Sequence, residues 1–287
     1  MVGETVKSSA YMAAPDQISP QNFVRLSRFI QEYSGIKMPP AKNTMLAVRL
    51  RSRVAALSCA SLDEYCDRLF NRDGMRGELI HLINAVSTNK TDFFREPVHF
   101  DFIREHLLPE INAAGRREVK LWSAAASMGA EAYTLAMVAD AFRRQYGGPD
   151  YSIIATDIST EMLALAIAGR YPAAMIEPVP MALRQDYILR SRDPRHQEVR
   201  MAPQLRAKLT CARLNLMDKS YGVGTDIDVI FLRNVLIYFE KQVQHEVLNR
   251  LCTHLRPGGY IVLGHSESGA GTALKLKCVK NTVFQKS

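Results

Sequence analysis

The 287-residue sequence lacks most of the features by which a chain announces its chemistry. Its five cysteines (Cys59, Cys66, Cys211, Cys252, Cys278) are scattered, with no CxxC pair and no Cys/His cluster. That excludes a disulfide framework and a structural zinc site, and they read as buried, reduced thiols. No metal is expected. No stretch approaches the roughly 18 to 20 apolar residues a membrane span needs, and MVGETVKSSAYMAAPDQ at the start has an early acid and no apolar signal core. A cytoplasmic protein without membrane insertion is expected. No Ser/His/Asp or Cys/His arrangement for nucleophilic catalysis is evident, and neither an internal repeat nor a low-complexity tract occurs. Two absences are local. From Tyr33 to Leu62 there is no acidic residue, and from Arg170 to Tyr221 there is no glycine.

What is present is ordinary globular material, 47% hydrophobic and 23% charged, with a net charge of +8. That charge implies an anionic partner, nucleic acid or an acidic protein surface.

Residues 1–16 have no periodicity and read as a disordered tail. From there to residue 86, apolar residues recur at helical spacing (Phe23, Leu26, Phe29 and Ile30; Met45, Leu46, Leu50 and Val54; Leu62, Tyr65 and Leu69; Leu79, Leu82 and Ile83), which predicts about four short helices. The pattern then changes. VKLWSAA, YSIIATD, DIDVIFL and GYIVLGH are short apolar runs separated by helical stretches such as TLAMVADAFRRQY and KQVQHEVLNRLCTHL, the alternation of a doubly wound, mainly parallel sheet. LKLKCVKNTVFQKS adds two strands around an Asn-containing turn. Alternating polar and apolar residues within the glycine-free, five-proline stretch predict a small β insertion at about 175–212.

In an open α/β sheet, ligands bind at the C-terminal ends of the strands. After the first strand comes SAAASMG, whose small side chains would let a ligand approach the backbone and a helix N-terminus. That loop is neither GxGxxG nor GxxxxGK[ST], which argues against NAD and ATP. After the second strand comes Asp157, an acid able to accept hydrogen bonds from both hydroxyls of a ribose. A nucleoside without phosphates fits, and S-adenosylmethionine is the common one. Taken singly, Asp157 is equally a helix N-cap, Gly129 a plain turn, and LRPGGYIVLGH a helix C-cap before a buried strand.

NAVSTNKTDFFREPVHF, LWSAAASMGAEAYTLA, ATDIST, RLNLMDKSY, FLRNVLIYF and GHSES occur in this order, and from about Ile18 to the C-terminus the chain resembles the chemotaxis receptor methyltransferases, the CheR family. The resemblance implies a Rossmann-like class I methyltransferase sheet with a small β insertion, preceded by an all-α N-terminal domain. It divides the chain into a helical receptor-recognition domain (17–86), a linker contacting the cofactor (87–100) and a methyltransferase domain (101–287). It implies methyl transfer from S-adenosylmethionine to glutamates on chemoreceptor cytoplasmic helices, leaving S-adenosylhomocysteine, by a monomer that uses no nucleic acid. It places Arg95 and Tyr238 beside the transferring methyl. Which carboxylate Arg95 holds, that of the methionine moiety or the acceptor, stays open. Asn89 and Thr91 would cross the cofactor, Glu131 face its methionyl end, Asp157 take the ribose, Asn215 and Leu216 bracket the adenine, and Arg233 and Asn234 border the methionyl side. Alone, Thr91 reads as the cap of a helix starting at Asp92, and Asn234 as a strand-end turn.

Two departures from the family pattern stand out. Where the family usually reads STGEEPYS, this chain has SMGAEAYT, with Ala130 and Ala132 for a Glu and a Pro; retained Glu131 implies altered cofactor affinity rather than lost activity. The insertion carries RSRDPRHQEVR in place of the glycine-bearing loops with which some family members bind a receptor pentapeptide tether by strand addition, so independence from that tether is expected. Lys42, Arg49 and Arg53, at helical spacing in the acid-free stretch, form a candidate stripe for an acidic receptor helix. Two rivals remain, a nucleic-acid methyltransferase and a non-enzymatic cofactor-binding regulator; the first lacks a [DN]PP[YF] motif, the second retains Arg95 and Tyr238 without reason.

Overall fold

The computed structural model describes residues 17–287 apart from 72, 194, 196 and 273–275. The expected tail at 1–16 lies outside the described residues. The described residues form two compact units, one of residues 17–29 and Met38–Val86 and the other of Ile30–Lys37 and Ser87–Ser287.

The first unit is helical: α1 (Pro20–Ser34, up to Phe29), α2 (Asn43–Ala56), α3 (Leu62–Leu69) and α4 (Gly74–Val86). Its core is the predicted apolar set, with Leu26, Leu46, Leu50, Tyr65, Leu82 and Ile83 all at 0% exposure. The start of α3 is locally encoded: the Ser61 hydroxyl accepts the Glu64 amide (3.1 Å) while the Glu64 carboxylate accepts the Ala60 amide (2.6 Å). The basic stripe is engaged within this unit. Arg53 makes a fork to both oxygens of buried Glu78 (2.7 and 2.8 Å), to which the Tyr65 hydroxyl also donates, and Arg49 donates to the Val86 carbonyl at 2.7 Å. Glu78 lies outside the acid-free stretch and meets α2 only in three dimensions.

The second unit is a mixed seven-stranded sheet with helices on both faces. Its elements in chain order are α5 (Val98–Phe102), a π-helical turn (Ile103–Leu107), α6 (Leu108–Ala113), β1 (Glu118–Ala124), α7 (Ala130–Tyr146), β2 (Asp150–Asp157) and α8 (Thr160–Ala168). There follow β3 (Arg170–Pro172), α9 (Met181–Tyr187), β4 (Ile188–Arg190), β5 (Glu198–Met201), α10 (Pro203–Arg206), β6 (Leu209–Arg213) and β7 (Ile227–Leu232). The chain closes with α11 (Lys241–His254), β8 (Leu255–Leu263), α12 (Ser268–Thr272), β9 (Lys277–Lys280) and β10 (Val283–Gln285). The π turn has a local cause: Pro109 has no N–H and its ring disturbs the preceding turn, so the Leu108 amide bonds the Ile103 carbonyl, five residues back.

The strand order is β6-β2-β1-β7-β8-β10-β9, parallel from β6 to β8, with β10 antiparallel to β8 and β9 to β10. β7 is buried at all six positions, as a central parallel strand must be. Alternate residues feed two cores: Leu121, Ile153, Val229 and Phe231 on one face, Trp122, Ile230, Leu232 and Ile261 on the other.

A second, three-stranded antiparallel sheet runs β3-β5-β4. It begins at Arg170, earlier than the expected 175, and Leu209–Arg213 is not part of it but a strand of the main sheet, parallel to β2. The proline-punctuated stretch hid that boundary because β6, as the outer strand, has mostly exposed or half-buried side chains and no apolar run to mark it. All five cysteines are free thiols as expected, but of the expected burial only Cys66 shows it in full; Cys59, Cys211 and Cys252 are half-buried, and Cys278 is exposed on β9.

Candidate functional site

Strand β1 has β2 on one side and β7 on the other, so the chain winds away from it in two directions and leaves a crevice at the strands' C-terminal ends. A cavity occupies that crevice. Its walls are the loop after β1 (Ala125, Ser127) with Glu131 in the first turn of α7, the end of β2 (Thr156, Asp157, Ile158), Leu214, Asn215 and Leu216 after β6, and the loop after β7 (Arg233, Asn234, Val235, Tyr238, Phe239). The segment Ser87–Asp92 with Arg95, and Ser34 with Ile36, complete it.

Backbone strain is concentrated here. Ala125 (φ 83°), Ser127 (φ 50°), Asn234 (φ 59°), and Phe94 and Glu96 (φ 52° and 55°) on either side of Arg95 all lie in the left-handed region that non-glycine residues avoid. The surrounding bonds hold them there. The Ala125 and Ala126 amides both reach the Thr156 carbonyl (2.7 and 2.8 Å), and the Ser127 hydroxyl reaches the Asn89 carbonyl (2.8 Å).

Asp157, 7% exposed, accepts the Ser127 amide on one oxygen and the Ser159 amide on the other, both at 2.8 Å. The cap of α8 is Ser159, whose hydroxyl accepts from Met162, so Asp157 is not the N-cap its spacing allowed. Burial pushes its carboxyl above the ordinary range against those backbone hydrogen bonds, and no cation pairs with it among the described residues. Gly129 (φ 90°) is required by packing: a Cβ there would come 2.8 Å from the Ala166 Cβ.

Glu131 and Arg233 form the charged floor. The Glu131 carboxylate accepts the Ser123 hydroxyl (2.6 Å) and Arg233 Nη1 (3.1 Å); burial pushes its carboxyl up despite the attraction of Arg233. Arg233 also pairs with Glu96 (3.1 Å), donates to the Arg95 carbonyl, and lies over the Phe100 and Phe231 rings, 5.4 and 5.7 Å from their centroids. Burial opposes ionisation of Glu96, but Arg233 and Asn234 hold its carboxyl below the ordinary range. Burial and Arg233 together push His99 down to about 4, so the ring beneath Glu96 is neutral.

Thr91 caps no helix, since the segment after it is a run of turns and the helix begins only at Val98. Arg95 donates to the Lys90 carbonyl (3.3 Å). The Asn215 amide donates to the Tyr33 carbonyl (2.6 Å) and accepts the Met217 amide (3.0 Å), and both Asn215 and Leu216 line the cavity. The Tyr238 carbonyl accepts the Lys37 amide at 3.1 Å. All nine residues expected to surround a cofactor therefore line this one cavity, and Tyr238 with them.

Residues 21–87 match the CheR methyltransferase all-alpha domain and residues 89–285 its SAM-binding domain. The chain belongs to the CheR methyltransferase family. It is similar to the chemotaxis protein methyltransferase of Vibrio parahaemolyticus (36% identical over 92% of this chain and 94% of that one), to that of Escherichia coli (35%, over 88% and 85%) and to chemotaxis protein methyltransferase 2 of Pseudomonas aeruginosa (32%, over 92% of each). As a CheR methyltransferase it uses S-adenosylmethionine and is a protein-glutamate O-methyltransferase.

The cavity fits that cofactor. A buried carboxylate without a cationic partner suits a diol, and the Glu131–Arg233 pair with Arg95 offers both signs of charge to an amino-acid end. The departures from the usual CheR loop lie off the cavity: Ala130 and Ala132 are fully buried in the core under α7, while Glu131 between them faces the site. One cluster among the described residues, Glu96, His99 and His265, brings three possible metal-ligand atoms within 4.8 Å. Arg233 already holds that carboxylate, so a cation would sit beside a guanidinium.

Sequence reasoning missed the wall formed by Ser34 and Ile36, far upstream. Its signal was Gly35, which ends α1 at φ 76° and where a Cβ would come 2.8 Å from the Phe239 ring. It also gave no role to Glu96 or to Glu267 of GHSES.

Proposed function

We propose that this methyltransferase esterifies glutamates on the cytoplasmic helices of chemoreceptors, in the cytoplasm and as a monomer, with Arg95 and Tyr238 at the methyl-transfer point. The observation that carries this is the gathering of Asp157, Glu131, Arg233, Arg95 and Tyr238 around one cavity at the switch point of the sheet. Bound S-adenosylmethionine supplies an electron-poor methyl on a sulfonium. A glutamate side chain, with pKa near ~4.3, arrives ionised at neutral pH, so no general base is needed. One carboxylate oxygen forms the new C–O bond as the C–S pair leaves with sulfur, and both charges vanish. The protein has only to align the reactants and strip water from the carboxylate, which the Arg95 fork and the Tyr238 hydroxyl support.

In this reading Asp157 takes the ribose, Glu131, Arg233 and Asn234 border the methionyl end, Asn215 and Leu216 bracket the adenine, and Asn89 and Thr91 cross the cofactor. Receptor recognition falls to the helical unit through Lys42 and the exposed Arg51 of α2, with Arg49 and Arg53 bracing that helix through Val86 and Glu78. Independence from a receptor C-terminal pentapeptide is part of the proposal. The outer strands β3 and β4 are three residues each, Pro172 ends β3, and no glycine lies between Arg170 and Tyr221, so neither β4 nor the β4–β5 connection carries one. The test is methylation of receptor cytoplasmic fragments with and without the last five residues. Equal rates are expected; micromolar binding of the free pentapeptide, or a large loss of rate on its removal, would overturn this part.

A further inference from the structure

Glu267 is buried (3% exposed), is not part of the cavity wall, and collects four backbone N–H groups. One of its oxygens accepts from Val235 (2.8 Å) and Leu236 (2.7 Å), the other from Asn234 (2.9 Å) and Gly264 (2.8 Å). Three consecutive amides can converge on one carboxylate only if the chain turns back on itself, and the left-handed Asn234 (φ 59°) makes that turn. The loop so folded carries Arg233, Asn234, Val235 and, one 3₁₀ turn later, Tyr238, whose amide bonds the Val235 carbonyl at 3.0 Å. Gly264 closes the arrangement from the other side: a Cβ there would come 2.8 Å from both the Asn234 Nδ2 and the Glu267 Oε2.

We infer that Glu267 is a positioning residue for methyl transfer, fixing Asn234 and Tyr238 through the backbone it binds. This rests on the reading that Tyr238 stands at the methyl-transfer point. A loop without that anion would have three adjacent N–H dipoles facing one another with no protein acceptor, and would relax away from the left-handed turn. The carboxylate thus sets the geometry of the cavity wall without touching it.

The test is Glu267→Gln, with Gly264→Ala as an independent disturbance of the same loop should the first variant fold poorly, and Asp228→Asn as a control for loss of a buried carboxylate at the opposite end of β7. A glutamine has one carbonyl oxygen and an NH₂ group, so two of the four backbone donors lose their acceptor and face another donor. Three readouts are taken well below the melting temperature: hydrogen exchange at residues 234–236, affinity for S-adenosylhomocysteine, and kcat with a receptor fragment. Expected are faster exchange at 234–236 and a fall in kcat of roughly ten- to a hundredfold, larger than any change in affinity. Asp228→Asn is expected to lower the melting temperature while kcat stays within about twofold of wild type. A Glu267→Gln or Gly264→Ala enzyme with wild-type kcat, or one whose loss the Asp228→Asn control matches, would overturn the inference. Absence of methylation by the wild type would instead overturn the reading beneath it.

Discussion

The two ends of the central strands carry similar charges and do different things with them. At the N-terminal end, Asp228 is completely buried and closed off: it accepts Arg256 Nε at 2.5 Å and the Lys120 amide at 2.8 Å, with Arg116 at 3.5 Å. At the C-terminal end, Asp157 has backbone donors but no cation, and Arg233 has two carboxylates yet leaves its Nε without a hydrogen-bond partner among the described residues. Five left-handed non-glycine residues lie around the second end. A closed set of pairs serves stability; an incompletely paired set facing a cavity is prepared for a ligand.

The contrast is broken most severely at Arg95. Arg95→Ala is expected to reduce methylation on the order of a hundredfold while leaving S-adenosylhomocysteine affinity nearly intact if the arginine holds the acceptor carboxylate. Equal losses of rate and affinity, measured by steady-state kinetics and calorimetry, would move it to the methionine carboxylate. Asp157→Asn comes next, weakening S-adenosylhomocysteine by about 1.5–3 kcal/mol for each charge-assisted hydrogen bond lost. Unchanged affinity in the titration would take Asp157 out of the ribose contact. At the closed end the effect is on folding alone: Asp228→Asn is expected to destabilise by about 3 kcal/mol in urea melts and to leave cofactor affinity untouched.

The smallest effect concerns His99, whose folded-state value of about 4 lies below that of an unfolded histidine, about 6.5. Below pH 6.5 the unfolded chain takes a proton that the folded site refuses, so this residue's contribution falls as the pH falls to about 4 and then levels. Arg233, Glu96, His265 and Lys280 act on that ring, and the part of Glu96, itself held low, is lost only below the ordinary carboxylate range. The difference in melting temperature between wild type and His99→Asn should therefore shrink as the pH is lowered from 7 to 5; a constant difference would contradict the assignment.

How much of this the sequence carries depends on the range of the interaction. The helical and central-strand elements were legible because their apolar periods are local; in β7 the run VIFL was visible, while the burial of Asp228 within it was not. Asp157 could be placed at the cavity because strand ends locate ligands in this topology, whereas Glu131, which also lines it, came only from the family resemblance. Arg49 and Arg53 were not, since their spacing fits an outer stripe equally well and only Glu78, some 25 residues on, and the Val86 carbonyl show where they point. Nor was β6, whose side chains are too exposed to leave an apolar run. Glu267 has no spacing signal at all, because its partners are backbone amides of a loop 31 to 33 residues upstream and of Gly264.

The central claim, that carboxylates are the acceptors, is tested most directly by the alkali stability of the product. Receptor cytoplasmic fragments are incubated with the enzyme and methyl-tritiated S-adenosylmethionine, freed of excess label and brought to high pH. A glutamate methyl ester would release its label as volatile methanol, and nearly all protein-bound tritium is expected to leave this way. Label that stays on the receptor through alkali would mean methylation at nitrogen or carbon, and would contradict the account.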